Sequence, residues 1–212
     1  MPARYAYLEI DFSGWKRIRH YELFSAREYP FIGVTTELDI TEWDAARRRS
    51  GRKFFPAFLH SVMLAINAIE NFRYRIDGDK VLLYEKVDPT FVVFEAREEL
   101  YYFAFMEMAD NADEFDHNVE EAKCMALAER NFGEDRSDVV YTSSTPWFGF
   151  TDVIQPMGLS QPDSIPRVVW GKVKRDGAAV SVPFSFTGHH GLIDGFHIGR
   201  LLEMIRAGHS VR

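Results

Sequence analysis

The stretch that most restricts the fold is residues 180–205, where a strand periodicity gives way to a helical one. Val180, Pro183, Phe184, Phe186 and Thr187 read as a strand, and Ile198, Leu201, Leu202 and Ile205 recur at helical spacing, with Gly208 as a stop. Between them Gly188-His189-His190-Gly191-Leu192-Ile193-Asp194-Gly195-Phe196-His197 gathers three histidines and one aspartate. The chain must pass from sheet to helix through a polar joint, and three readings of that joint compete. Asp194 can cap a helix beginning at Gly195 by accepting a hydrogen bond from an orphan N–H, with one histidine satisfied in the core. His190, Asp194 and His197 would share a metal ion only on a helix that began before His190, and Gly188 and Gly191 argue against such a helix. A histidine held on a rigid joint, with an unperturbed pKa near ~6.5, serves as a general base at neutral pH.

Upstream, residues 5–12 read as a short strand, and Ser13 as the N-cap of a helix over 14–25. A β-rich run follows at 31–40, and Thr41 can cap a short helix to Arg49 whose basic end (Arg47, Arg48, Arg49, Arg52, Lys53) suits the helix dipole. Pro56 opens the most apolar helix, expected over 57–70, with Phe58, Val62, Ala65, Ile66 and Ile69 on one face; this helix is expected at the centre of the core. Residues 73–76 and 81–84 form a hairpin across Asp77-Gly78-Asp79, and 91–94 and 100–106 are further strands. A helix over 113–131 presents Phe115, Val119, Ala122 and Ala126 inward. Strands are expected at 139–143, 147–154, 168–173 and 179–187, with a proline-bearing loop at 155–166 and a turn at Asp176-Gly177. Strands and helices mix without strict alternation, so the expected fold is α+β. It is one domain over 1–212, a two-layer sandwich of a mixed, largely antiparallel sheet covered by helices.

A formal net charge of -7 repels polyanions, so nucleic acid is not an expected partner and any anionic ligand needs a local basic cluster. Aromatic residues make up 15% of the chain, enough to fill a sheet-rich core or line an apolar pocket. Cys124 is the only cysteine, which excludes an internal disulfide and fits a reducing compartment. No apolar run reaches the roughly 18–20 residues of a membrane span, and the N-terminus lacks a basic segment leading into an apolar one. The expectation is a soluble cytoplasmic protein without a membrane partner.

Several separated segments together resemble the chloramphenicol acetyltransferase family, of the trimeric type. They are Trp15-Lys16-Arg17 with His20, Leu38-Asp39-Ile40-Thr41, Lys53-Phe54-Phe55-Pro56-Ala57-Phe58, Asp88-Pro89, Ser143-Ser144-Thr145-Pro146-Trp147, and the run from His190 to Arg200. The HHxxxDG pattern at 189–195 is shared with dihydrolipoyl acyltransferase cores and other CoA-dependent acyltransferases, and the additional segments narrow the match. The resemblance implies direct acetyl transfer from acetyl-CoA to an acceptor hydroxyl, with no metal, in a site at the subunit interface of a homotrimer. His190 matches the general base, Ser143 the oxyanion donor, and Asp194 and Arg17 a structural ion pair. Lys53, Phe55, Trp147 and Lys172 match the cofactor contacts, with Phe55 in place of the usual tyrosine. Leu23, Phe24, Tyr101 and Phe103 match the acceptor pocket. There Tyr101 replaces a phenylalanine, Phe103 a small residue and Val169 a threonine, while Pro30 and Ile32 also depart from the usual pattern. The implied acceptor is chloramphenicol or a similar small alcohol. Two alternatives stay open: a different acceptor or acyl carrier, and a non-catalytic trimeric binder of small molecules.

Overall fold

The computed structural model describes residues 3–133, 136–159 and 163–208. In chain order the elements are β1 (Tyr7–Glu9), α1 (Ile18–Ser25), β2 (Phe31–Asp39), α2 (Thr41–Ser50) and α3 (Phe54–Ala68). A 3-10 turn over Glu70–Arg73 leads to β3 (Tyr74–Asp77), β4 (Lys80–Tyr84), β5 (Asp88–Glu95) and β6 (Leu100–Phe105). Then come α4 (Ala112–Glu129), β7 (Val139–Thr145), β8 (Arg167–Gly171), β9 (Lys174–Asp176), β10 (Ala179–His189) and α5 (Gly195–Arg206).

The main sheet has the order β2-β10-β8-β7-β5-β6, with β9 pairing β10 off this path; β1, β4 and β3 form a second, smaller sheet. Among the described residues only β5–β7 and β7–β8 are parallel, so a short parallel centre is flanked by antiparallel pairs. Helix α3 explains why one face is covered. Its side chains from Pro56 to Met63, with Ala65 and Ile66, are buried, and it packs between α4 and α5. The rings of Phe55 and Phe58 meet Phe91, Trp170 and Phe184 of the sheet, so each of these large side chains contributes roughly 1.5–3 kcal/mol of burial at one interface. The result is the α+β layering that the mixed pattern predicts.

Side chains alternate along a strand, so the residues next to Phe184 and Trp170 point away from the helices. The register sets Thr35, Ser185, Val169 and Ser143 in one row across β2, β10, β8 and β7 on that other face. Below one end of the sheet, fully buried Arg75 donates to the carbonyls of Phe72, Tyr74, Ser137 and Val139, tying β3 to the start of β7. Burial pulls its pKa down to about 10, still far above neutrality.

Several local expectations need correcting. Helix α1 begins at Ile18, not Gly14, and Ser13 caps nothing: its N–H and hydroxyl both donate to Asp11, which competes for the same group. The hydroxyl of Thr41 is bonded to the backbone of Val180 in β10, so α2 starts without a side-chain cap. Helix α3 starts two residues before Pro56, which stays within the first turn where its missing N–H has no intrahelical partner. Residues 147–154 form no strand. Of the proline-bearing loop at 155–166, residues 160–162 lie outside the described residues. No helix among the described residues is long and apolar enough to cross a membrane.

Candidate active site

Strand β10 ends at His189, and the chain turns through 190–194 into α5. The His190 N–H donates to Pro30 O at 2.7 Å, and the N–H groups of Leu192 and Ile193 return to His189 O at 3.0 and 3.1 Å. Two glycines allow this compactness. A Cβ on Gly188 would meet Ile193 Cδ1 at 2.9 Å and Phe186 Cε1 at 3.1 Å, and one on Gly191 would meet the His189 ring and Tyr21 Cα at 3.0–3.1 Å. Asp194 then caps α5, accepting from the Phe196 N–H at 3.0 Å.

Arg17, at the start of α1, clamps the turn from outside. Its guanidinium donates to Asp194 Oδ2 at 2.9 Å, to Gly191 O at 3.2 Å and to His190 O at 3.3 Å. Burial would push the Asp194 carboxyl up, but the Arg17 hydrogen bond, the nearby His197 and Arg17 charges and the Phe196 N–H together hold it below the usual carboxylate range. His197 sits against the same carboxylate, its Nδ1 2.9 Å from Asp194 Oδ1 and 3.2 Å from the Asp194 N–H. Burial pushes its pKa down against the pull of the Asp194 carboxylate, and Nδ1 accepts from the Asp194 N–H.

The His190 ring is held on two sides. It stacks on Phe24 at 3.9 Å between centroids, and its Nδ1 lies 3.0 Å from Ile193 O. A carbonyl only accepts, so the proton of the neutral ring is on Nδ1 and the lone pair is on Nε2. Nε2 has no hydrogen-bond partner among the described residues. The geometry is that of a base with one nitrogen anchored and the other open.

Ser143 is on β7, half-buried, on the sheet face turned from the helices. Its row reaches β10 at Ser185, five residues before His190, which is roughly 16 Å along the strand and roughly 10 Å across two strand spacings. Within one chain Ser143 and His190 are therefore far beyond hydrogen-bonding reach. Tyr101 and Phe103 of β6 share Ser143's face, their rings edge to face at 5.7 Å. Leu23 and Phe24 belong instead to the His190 corner, Leu23 being 51% exposed.

The parallel strands β5, β7 and β8 end at one edge, where a crevice beyond the strand C-termini is the common place for a ligand. Phe55 packs there on Phe91 and Trp170, Trp147 stands exposed against Phe94 at 5.3 Å, and Lys53 precedes the first turn of α3. Lys53 lies 3.6 Å from Glu120, and Lys123 Nζ sits 5.1 Å above the Phe55 ring. Lys172 and Lys174 line a cavity of about 490 Å³ with Glu37, Phe150 and Pro183. Thr145 Oγ1, the last hydroxyl of β7, is buried without a hydrogen-bond partner among the described residues. Sequence reasoning missed Thr145 and the Ile193 carbonyl. The SSTPW match offered a signal for the first, but a backbone acceptor leaves none. Among the described residues no group of three or more metal-ligating side chains is gathered in one place.

A family model described as Chloramphenicol acetyltransferase matches residues 5–206. A chloramphenicol acetyltransferase of Klebsiella sp is 27% identical over 205 residues, covering 94% of this chain and 92% of its own. One of Escherichia coli is 28% identical over 207 residues, with the same coverages of 94% and 92%. Among solved structures, a chloramphenicol acetyltransferase superposes with a TM-score of 0.83 at 23% identity, covering 96% of this chain and 99% of its own. A probable dihydrolipoamide acetyltransferase from Listeria monocytogenes 4b F2365 follows with a TM-score of 0.61 at 17% identity, covering 95% and 92%. These two structural likenesses show a shared fold.

Proposed function

The chain belongs to the chloramphenicol acetyltransferase family, and from that premise we propose that it is a CoA-dependent O-acetyltransferase moving an acetyl group from acetyl-CoA to a hydroxyl of chloramphenicol or a similar small alcohol. The observation that carries the reading is the His190 ring, anchored at Nδ1 and open at Nε2. An alcohol is a weak nucleophile, and a positioned base typically gives about 10²–10⁴-fold. His190 Nε2 takes the acceptor's hydroxyl proton as its oxygen bonds to the thioester carbonyl carbon. Ser143 donates a hydrogen bond to the oxyanion that develops there. His190 then returns the proton to the departing thiolate, leaving an acetyl ester and free CoA thiol.

The edge beyond β5, β7 and β8 suits acetyl-CoA. Lys53 and Lys172 supply local positive charge in a chain whose net charge is -7, and Phe55 and Trp147 offer apolar surface. The orphaned Thr145 hydroxyl is a polar group awaiting a partner, which supports a ligand at this edge. Leu23 and Phe24 line the acceptor's side of His190, and Tyr101 and Phe103 its side of Ser143.

The separation of those two groups of residues within one chain supports a site shared between subunits, and the proposal is a homotrimer of single-domain 1–212 chains working in the cytoplasm. Phe94, Tyr101, Trp147 and Phe148 are each 46–59% exposed, more apolar surface than a solitary chain needs and available for a neighbour. The aromatic pair Tyr101 and Phe103 favours a second reading in which the acceptor is an alcohol other than chloramphenicol, since bulk in a pocket excludes as well as binds.

The test is release of free thiol from acetyl-CoA with chloramphenicol and a panel of alcohols, beside a His190→Ala control. Release with chloramphenicol that the variant lacks supports the first reading, and release only with other alcohols selects the second. A broad panel without release above the control would sink catalysis itself.

A further inference from the structure

We infer that His189, the first histidine of the pair, is a positioning residue that sets the orientation of the His190 ring. This inference rests on the proposed role of His190 as base. His189 is 2% exposed, and its carbonyl accepts from the N–H groups of Leu192 and Ile193. Its ring Nδ1 accepts from the Gly191 N–H at 3.2 Å. Three successive N–H groups of the turn therefore end on one residue, two on its backbone and one on its side chain. The ring occupies the space that Gly191 leaves by having no side chain, lying 3.0–3.1 Å from where a Cβ would stand.

The relay to the base is short. Ile193 gives its N–H to His189 O and receives the His190 Nδ1–H on its own carbonyl at 3.0 Å. A shift of the turn around His189 thus moves the hydrogen-bond anchor that the described residues give the His190 ring. Accepting at Nδ1 requires the His189 proton to be on Nε2, which has no partner among the described residues. Burial pushes its pKa down to about 4 against the pull of Asp163, with His190 adding slightly, so the ring keeps its acceptor at neutral pH. The other charged groups around the joint are Arg17 and Asp194, which grip the far side of the turn, and Arg27 and Glu28, which share with His189 a cavity of about 310 Å³.

That cavity makes a sharp pair of variants practicable, because it leaves room for an altered side chain. In His189→Asn the amide oxygen takes the place of Nδ1 and can still accept from Gly191. In His189→Gln the amide lies one bond further out, near Nε2, and the Gly191 N–H is left unpaired. Steady-state thiol release should show kcat lowered about 10–10²-fold in His189→Gln with KM for acetyl-CoA within about twofold, and most of kcat restored in His189→Asn. Thermal midpoints of the two variants should lie close together. Equal kcat in both variants, whether near wild type or lowered in step with thermal stability, would overturn the positioning role. Wild-type protein no faster than His190→Ala would instead overturn the proposed function, and this inference with it.

Discussion

Ser143→Ala removes a hydroxyl and little else, since the residue is half-buried at the end of a paired strand. If it supplies the oxyanion donor, kcat should fall about 10²–10³-fold with the thermal midpoint almost unchanged, read by thiol release and by melting of the same samples. An unchanged kcat would leave Ser143 as a hydroxyl on the face of a paired strand. His190, Ser143 and Arg17 stood out in the sequence because each carries a reactive or charged group within a spaced motif. What stayed hidden were groups without a side-chain signature, above all the Ile193 carbonyl that fixes the tautomer of His190. Buried polar residues were hidden for the opposite reason. Nothing in the local pattern distinguishes Arg75, spent on four carbonyls, from a surface arginine.

Helix ends offer a comparison between two caps. Asn111 caps α4 by accepting from the N–H groups of Asp113 and Glu114, on an exposed turn with no other duty. Asn111→Ala should cost about 1 kcal/mol and leave kcat alone. Asp194→Ala removes a cap and also leaves Arg17 without its carboxylate, so it should cost at least about 2 kcal/mol and lower kcat together with stability. Chemical denaturation beside thiol release separates the two, and equal costs would mean that the Arg17 contact adds nothing. Helices were the most legible elements. The inward set Phe115, Val119, Ala122 and Ala126 is the buried face of α4. Residues 147–154 misled because their apolar side chains look like core, yet Trp147, Phe148 and Ile154 are 59%, 55% and 91% exposed. Strand order was not legible, since β5, β7 and β8 pair through register between distant segments and no local periodicity records it.

Among the described residues, the two imidazoles pushed down furthest, His60 and His189, dominate the response to mild acid, with His197 shifted the same way. His60 stacks on Phe115, with Nε2 on Ala109 O, and burial followed by the Arg52 charge pushes its pKa down to about 4; burial does the same for His189. The unfolded chain has these groups near ~6.5, so it binds more protons than the folded one between the two values, and stability rises with pH across that window. The contribution is complete above about pH 6.5 and is lost as pH falls toward 4, up to about 3 kcal/mol for each ring. Thermal midpoints should therefore drop steadily from pH 7 to 4.5, before the depressed carboxyls of Asp44, Asp138 and Asp194 begin to titrate. A flat profile would mean that neither imidazole is held neutral. If the site lies at a subunit interface as proposed, the gap between Ser143 and His190 has a genetic consequence as well: two dead alleles should make a living protein. Subunits carrying His190→Ala still offer a whole Ser143 half, and subunits carrying Ser143→Ala a whole His190 half. Unfolded together in equal amounts and reassembled, they should pair intact halves at about a quarter of the interfaces, and neither parent alone should match that activity.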